Sequence, residues 1–453
     1  MARMALAHRP RPTVTKSMGD SANPSADGDM TMAMQGSARA PATPRNGIPP
    51  LRLALVCHCL RPEDERAGRI GGAERAAAEL LAAFRARDDV EVRLLAASAA
   101  SDRLKFVGFA LQTLRELARL ARAGKIDAVL FTGLPTAWMV LLLAPILRAN
   151  GVASASICHG HDVTWDFAPY QWVVTRMLGV LDIVLPVSQA TGAHCLERRV
   201  DPSRMLVVAN GADLDRFAPP PDPGVRRAIL RAAFADETRG LAEDEMVICS
   251  VGRQVGRKGH AWFVREVVPK LDPGVRYWLA GDGPEAPSIA AAVMQSGVGD
   301  RVRRLGAINE AQLEALYRGA DVFVMPNVPI AGDIEGFGLV LVEANLNGLP
   351  VVAADLEGPA EVICEGRNGR LIRPLDAEGF ARVIGELHQD PEGRHALAAR
   401  ADAYARANLG WAPIAARHAA ALRAAHASRM AARASQGRGP VVSLETASAA
   451  WKP

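Results

Sequence analysis

Aromatic residues make up only 5% of this 453-residue chain, and neither a zinc-type cysteine spacing nor a bilayer-spanning apolar run is present. The longest apolar run, Ala137 to Leu147, is too short to cross a membrane and is interrupted by Pro145, so it reads as a buried helix. The first fifty residues lack an apolar stretch of signal-peptide length; rich in Arg, Pro, Ser, Met and Gly, they read as a disordered leader. Charge of one sign is also lacking. A net charge of +4 gives no independent argument for a nucleic-acid partner. The six cysteines (Cys57, Cys59, Cys158, Cys195, Cys249 and Cys364) are scattered, mostly in apolar strand-like runs, which favours reduced, buried thiols in a cytoplasmic protein. Cys57-His58-Cys59 reads as a strand end facing the core rather than a metal clip.

What is present is an ordinary soluble composition, 49% apolar and 23% charged, on a chain long enough for two domains. Strand and helix patterns alternate from Leu51 to Ala209, with a last strand expected at Met205 to Ala209, and the alternation restarts at Met246. Such alternation predicts parallel sheets covered on both faces. Two doubly wound, Rossmann-like α/β domains across a cleft are therefore expected, at 51–217 and 246–409. A proline cluster and charged segment, 218–245, would link them. A further helix, 410–430, is expected to pack back on the first domain, and 431–453 reads as a disordered tail.

The glycine-rich loops fall at the carboxyl ends of strands, where such sheets bind ligands. Gly71-Gly72-Ala73-Glu74-Arg75 opens a helix after the first strand. Gly252-Arg253 and Gly256-Arg257-Lys258-Gly259 follow the first strand of the second domain, where cations can neutralise a diphosphate. Glu335 and Glu343 stand eight positions apart, separated by the turn Gly336-Phe337-Gly338 and a helix beginning at Leu339. A helix start of that kind presents unpaired N–H groups to a phosphate or a sugar hydroxyl. His159-Gly160-His161-Asp162 ends another cleft-facing strand, favouring His159 as a site residue. Asp213-Leu214-Asp215 imitates a metal-binding Asp-x-Asp pair, but local capping by the aspartates explains it better.

Taken in order, Gly252-Arg253…Lys258-Gly259 and Glu335…Glu343 resemble the family-four retaining glycosyltransferases of GT-B fold. Asn210-Gly211-Ala212-Asp213…Arg216-Phe217 and Gly281-Asp282-Gly283-Pro284 support the resemblance, which covers about Leu51 to Ala424. It implies that Arg253 and Lys258 hold the donor diphosphate, that Glu343 binds the ribose and that Glu335 contacts the donor sugar. It also implies that Phe337, Gly338 and Leu339 offer backbone N–H groups. Gly71 and Gly72 would let the first domain approach the diphosphate. Glu74 and Arg75 would stand beside the acceptor, and Asp162 would orient the acceptor hydroxyl or the histidine.

The implied donor is a UDP- or GDP-sugar and the implied acceptor a glycan or lipid-linked sugar, with no cofactor or metal. Basic helices around Leu111 to Lys125 and Val225 to Arg231 are candidate faces for peripheral contact with an anionic inner membrane. A nucleotide-sugar epimerase, a sugar phosphorylase and a non-catalytic nucleotide-sugar binder remain open as alternatives on the same fold.

Overall fold

A computed structural model describes residues 49–57, 72–96 and 103–435, without the side chains of 103–105. The expected leader lies outside the described residues except for its last two positions, as do Gly71, His58, Cys59 and most of the expected tail.

The apolar runs form two all-parallel sheets. The first contains β1 (Leu51–Cys57), β2 (Val90–Ala96), β3 (Ala128–Phe131), β4 (Ala153–Cys158) and β5 (Ile183–Pro186), in the order β2-β1-β3-β4-β5. The second contains β6 (Met246–Val251), β7 (Val275–Ala280), β8 (Val302–Gly306), β9 (Val322–Met325), β10 (Val351–Ala354) and β11 (Gly369–Ile372), in the order β11-β10-β9-β6-β7-β8. β3, β4, β5, β9 and β10 are buried along their whole length, which is why they read as continuous apolar segments instead of alternating ones. In each sheet the chain moves outward from its first strand and then returns to pair on that strand's other side. The reversals lie between β1 and β3 and between β6 and β9, so the loop after β6 opens at a crevice of the kind where such sheets take ligands.

Several elements depart from expectation. Met205 to Ala209 forms no strand: only Met205 bridges Val184, while the Leu206 and Val208 N–H groups donate to β5 carbonyls at 3.0 and 2.9 Å. The segment after Gly259 is not one regular helix: it runs through a short helical turn at His260–Trp262, a widened turn at Phe263–Val267 and a tight one at Val268–Lys270. Pro269, which has no N–H to donate, sits in the last of these.

The expected linker contains the helix Arg226–Ala233, docked on the second lobe by buried Leu230. The Arg226 guanidinium donates to the carbonyls of Ala320 (2.9 Å) and Gly348 (2.8 Å), just past two helix ends, where a cation satisfies unpaired oxygens. Arg227 donates to Asp321 at 3.0 Å. Both arginines are buried, so this helix does not present them to a lipid surface. On helix Arg103–Arg122, by contrast, Val107 and Leu111 are exposed. Among the described residues no helix is long and apolar enough to cross a membrane.

The last helix, Trp411–Ala434, returns to the first lobe. Its Trp411 indole N–H donates to Glu79 at 2.7 Å, and Arg429 pairs with Asp182. One hydrophobic cluster joins residues of both sheets and this helix, so the two lobes share packing as well as a cleft.

Candidate functional site

The loop after β6 is drawn tight by Gly259. Its φ of +65° lies in the left-handed region, and a Cβ there would fall 2.1 Å from the Pro326 carbonyl oxygen. This turn buries Lys258 and points its Nζ at Glu335 Oε2, 2.8 Å away. Arg257 reaches the same oxygen through Nε at 3.0 Å and Asp333 through a terminal nitrogen at 3.0 Å. Burial works against the charge on Glu335, but Lys258 and Arg257 outweigh it and hold the carboxyl below the ordinary glutamate range. Arg253 is exposed and makes no ion pair among the described residues, so this cation remains available to an anion. Gly252 closes β6, with its N–H donating to Ala280 at 3.1 Å.

Glu335 also meets the first lobe. Gly160 pairs with it as an isolated antiparallel bridge, and a Cβ on Gly336 would lie 1.8 Å from the His159 carbonyl oxygen. Only glycine permits this approach, which brings the His159 loop directly against the turn before the helix. His159 Nε2 lies 2.8 Å from the Thr132 carbonyl oxygen beyond β3, and its backbone N–H donates to Asp162 Oδ1 at 2.8 Å. Asp162 thus holds the backbone of the histidine loop. Its other oxygen is buried with no hydrogen-bond partner among the described residues, and burial pushes the carboxyl up. His161 is exposed, with Nδ1 3.4 Å from Asp333, the carboxylate that Arg257 also holds.

The helix after the turn, Leu339–Leu346, begins where expected. The N–H groups of Phe337, Gly338 and Leu339 have no hydrogen-bond partner among the described residues, as an anion-accepting helix start requires. Phe337 itself is buried in the shared core.

Glu343 is buried on the same helix, and both its oxygens are engaged. Oε2 accepts from the Tyr317 hydroxyl at 3.0 Å, and burial raises that phenol well above its ordinary range. Oε1 pairs at 2.5 Å with Arg75, which also contacts Glu310 at 3.0 Å. Arg75, expected at the acceptor, therefore lies on the glutamate expected at the ribose. Gly72, three residues earlier, faces Leu339, with 3.7 Å between a hypothetical Cβ and the leucine Cδ1. Glu74 and Arg75 line a cavity of about 970 Å³ with Glu79, Arg216, Glu310 and Trp411, on the side where the chain crosses between lobes; Lys258 and Glu335 lie outside its walls.

The structure thus brings Lys258, Glu335, Gly336, Gly160 and His159 together and sets Arg75 and Glu343 to one side. The sequence reading named Arg257 within its motif without giving it a role of its own, and it missed Asp333, Tyr317 and Glu361. Arg257 was visible as the neighbour of Lys258, and Tyr317 as a phenol on an apolar helix face that needs a polar partner. Glu361 accepts the Gln189 and Ala190 N–H groups of the other lobe at 2.7 and 2.9 Å, a contact no local pattern announces. Asp213 accepts from the Asp215 N–H at 3.2 Å, as expected of a cap.

Residues 70–216 match the family described as Glycosyltransferase Family 4, and residues 245–390 match Glycosyl transferases group 1. A GDP-mannose-dependent alpha-(1-6)-phosphatidylinositol monomannoside mannosyltransferase of Mycolicibacterium smegmatis is 31% identical over 60% of this chain and 70% of its own. A D-inositol 3-phosphate glycosyltransferase of Streptomyces scabiei is 30% identical over 51% of this chain and 50% of its own. The crystal structure of Anabaena Alr3699/HepE in complex with UDP matches 82% of this chain and 100% of that one, with a TM-score of 0.63 at 20% identity. With two parallel-sheet lobes and the Lys258–Glu335 cluster between them, this chain belongs to the family-four, group 1 glycosyltransferases of GT-B fold and is a glycosyltransferase.

Proposed function

We propose that the enzyme transfers a sugar, with retention of anomeric configuration, from a nucleoside-diphosphate sugar to a lipid-linked or glycan acceptor in cell-surface glycolipid or polysaccharide assembly. The observation that carries this reading is the convergence of Lys258 and Arg257 on Glu335, beside unpaired Arg253 and the free N–H groups of 337–339. Cleaving the bond between the anomeric carbon and the diphosphate leaves about two negative charges on the leaving group. Preorganised cations and N–H donors stabilise that charge as it forms. Arg253 and Lys258 take the diphosphate, Glu335 the sugar hydroxyls and Glu343 the ribose. The acceptor oxygen bonds to the anomeric carbon from the face the phosphate leaves, and the departing phosphate oxygen takes the acceptor's proton. The cations supply the positive charge, so no metal is required.

GDP-mannose and phosphatidylinositol monomannoside are the first donor and acceptor to try, because the mannosyltransferase relative is named for them. Exposed Val107 and Leu111 support peripheral contact with a membrane carrying such an acceptor, from the cytoplasmic side. A thermal-shift screen of GDP- and UDP-sugars, followed by proton NMR of the product, tests the reading. Stabilisation by one donor and a product with that donor's anomeric configuration are expected; donor turnover independent of any acceptor, or an inverted product, would defeat it. Activity should persist after EDTA treatment.

A further inference from the structure

We propose that Glu357 is a positioning residue for the transfer reaction, holding the backbone of Glu335 so that its carboxylate meets the donor sugar. The proposal rests on the donor-sugar role of Glu335 given above. Glu357 opens the short helix Glu357–Val362 after β10. An acidic residue in a first helical turn ordinarily caps its own helix or complements its dipole. This side chain turns away instead: its Oε2 accepts the Glu335 N–H at 2.6 Å. The next residue completes the clamp, with the Gly358 N–H donating to the Glu335 carbonyl at 3.2 Å. A Cβ on Gly358 would fall 2.0 Å from the Gly336 carbonyl oxygen, so the two segments are pressed backbone to backbone. Both main-chain polar groups of Glu335 are thus used by Glu357 and Gly358, leaving its carboxylate to Lys258 and Arg257.

The hold is obtained through an unfavourable conformation. Glu357 has φ of 55°, in the left-handed region that a side chain disfavours, and glycine would adopt it without strain. A residue kept there against its own preference, with its carboxylate spent on a site loop, points to a role beyond folding. The groups that bear on this carboxylate are Glu335, Arg257 and His194 of the opposite lobe. Burial raises its pKa, the Glu335 charge adds to the rise, and the hydrogen bond from the Glu335 N–H opposes it.

Two variants of the full-length enzyme separate positioning from folding. Glu357→Gly removes both the strain and the carboxylate; Glu357→Gln keeps the backbone strain and an accepting oxygen but cannot ionise. Glu357→Gly should melt no lower than the parent and bind GDP or UDP unchanged. Its kcat should fall tenfold or more, and amide hydrogen exchange should rise over 333–338. Glu357→Gln should recover most of the kcat, because its amide oxygen still accepts the Glu335 N–H. Unchanged exchange in Glu357→Gly would overturn the claimed hold on Glu335. Raised exchange with undiminished kcat would overturn the proposal by a different route, showing that Glu335 has no part in transfer.

Discussion

Glu335 and Glu343 are eight residues apart, yet the two carboxylates are answered from different directions. Glu335 meets Lys258 and Arg257, both from its own lobe and from a turn fixed by Gly259. Glu343 meets Tyr317 from its own lobe and Arg75 from the opposite one. The charge balance around Glu335 is therefore built into one lobe, whereas that around Glu343 is completed only by a side chain of the other lobe. The first is a cluster preorganised within a lobe, and the second is a contact between lobes.

The strongest test of this difference is Lys258→Ala. Removing a preorganised charge at a developing anion typically costs about 3 kcal/mol, or a hundredfold or more in rate. Transfer should fall by at least that factor while the circular dichroism spectrum stays that of the folded parent. A variant with normal turnover would remove the cluster from the chemistry. Arg253→Ala should also lose transfer, through weaker holding of the diphosphate, without disturbing Glu335.

Arg226→Ala asks whether the second lobe's frame is separable from its site. Deleting the guanidinium leaves the Ala320 and Gly348 carbonyls unpaired in the interior. Stability should drop by about 2 kcal/mol, a typical cost for orphaned buried polar groups, as read by urea denaturation. Nucleotide affinity of the folded fraction should not move. A change in affinity would mean that the site depends on the packing of this helix.

Arg75→Ala probes the inter-lobe side, with a smaller effect and the opposite sign. If Glu343 takes the ribose as proposed, Arg75, which already holds Oε1, competes with the ribose hydroxyls for that oxygen. Removing the arginine should tighten nucleoside-diphosphate binding by about tenfold, equivalent to about 1.4 kcal/mol. Titration calorimetry with GDP and UDP would show it. Weaker binding would make Arg75 a ligand of the nucleotide and not its competitor.

The same contrast explains what the sequence could and could not convey. The two-sheet architecture was legible because buried parallel strands such as β9 and β10 are short apolar runs between glycine loops, a signal carried by neighbouring residues. The Lys258 turn and the helix start at Leu339 were legible for the same reason. Arg226 and Arg227 misled: on a local pattern a basic helix looks solvated, and only the fold shows that two helix ends deliver carbonyls to it. The pairing of Arg75 with Glu343 spans 268 positions, and that of Glu361 with Gln189 spans 172, so composition and spacing leave no trace of either. The residues missed at the site are those whose partners lie in another element.

The smallest expected effect concerns protons. The Glu335 carboxyl is held below its ordinary value of 4.5 because Lys258 and Arg257 together outweigh its burial. A carboxyl with a depressed folded-state pKa binds fewer protons folded than unfolded, so its stabilisation is complete above the unfolded pKa and is lost as pH falls through the folded one. Urea midpoints of the parent and of Glu335→Gln should therefore lie furthest apart near pH 7. The difference should hold down to about pH 4.5 and shrink only below that, as the parent's Glu335 takes up its proton. If the two midpoints instead converged between pH 7 and 5, the carboxyl would have a raised pKa in the folded enzyme. Lys258 and Arg257 would then not be compensating its burial, and the asymmetry between the two glutamates would fail at its better-supported end.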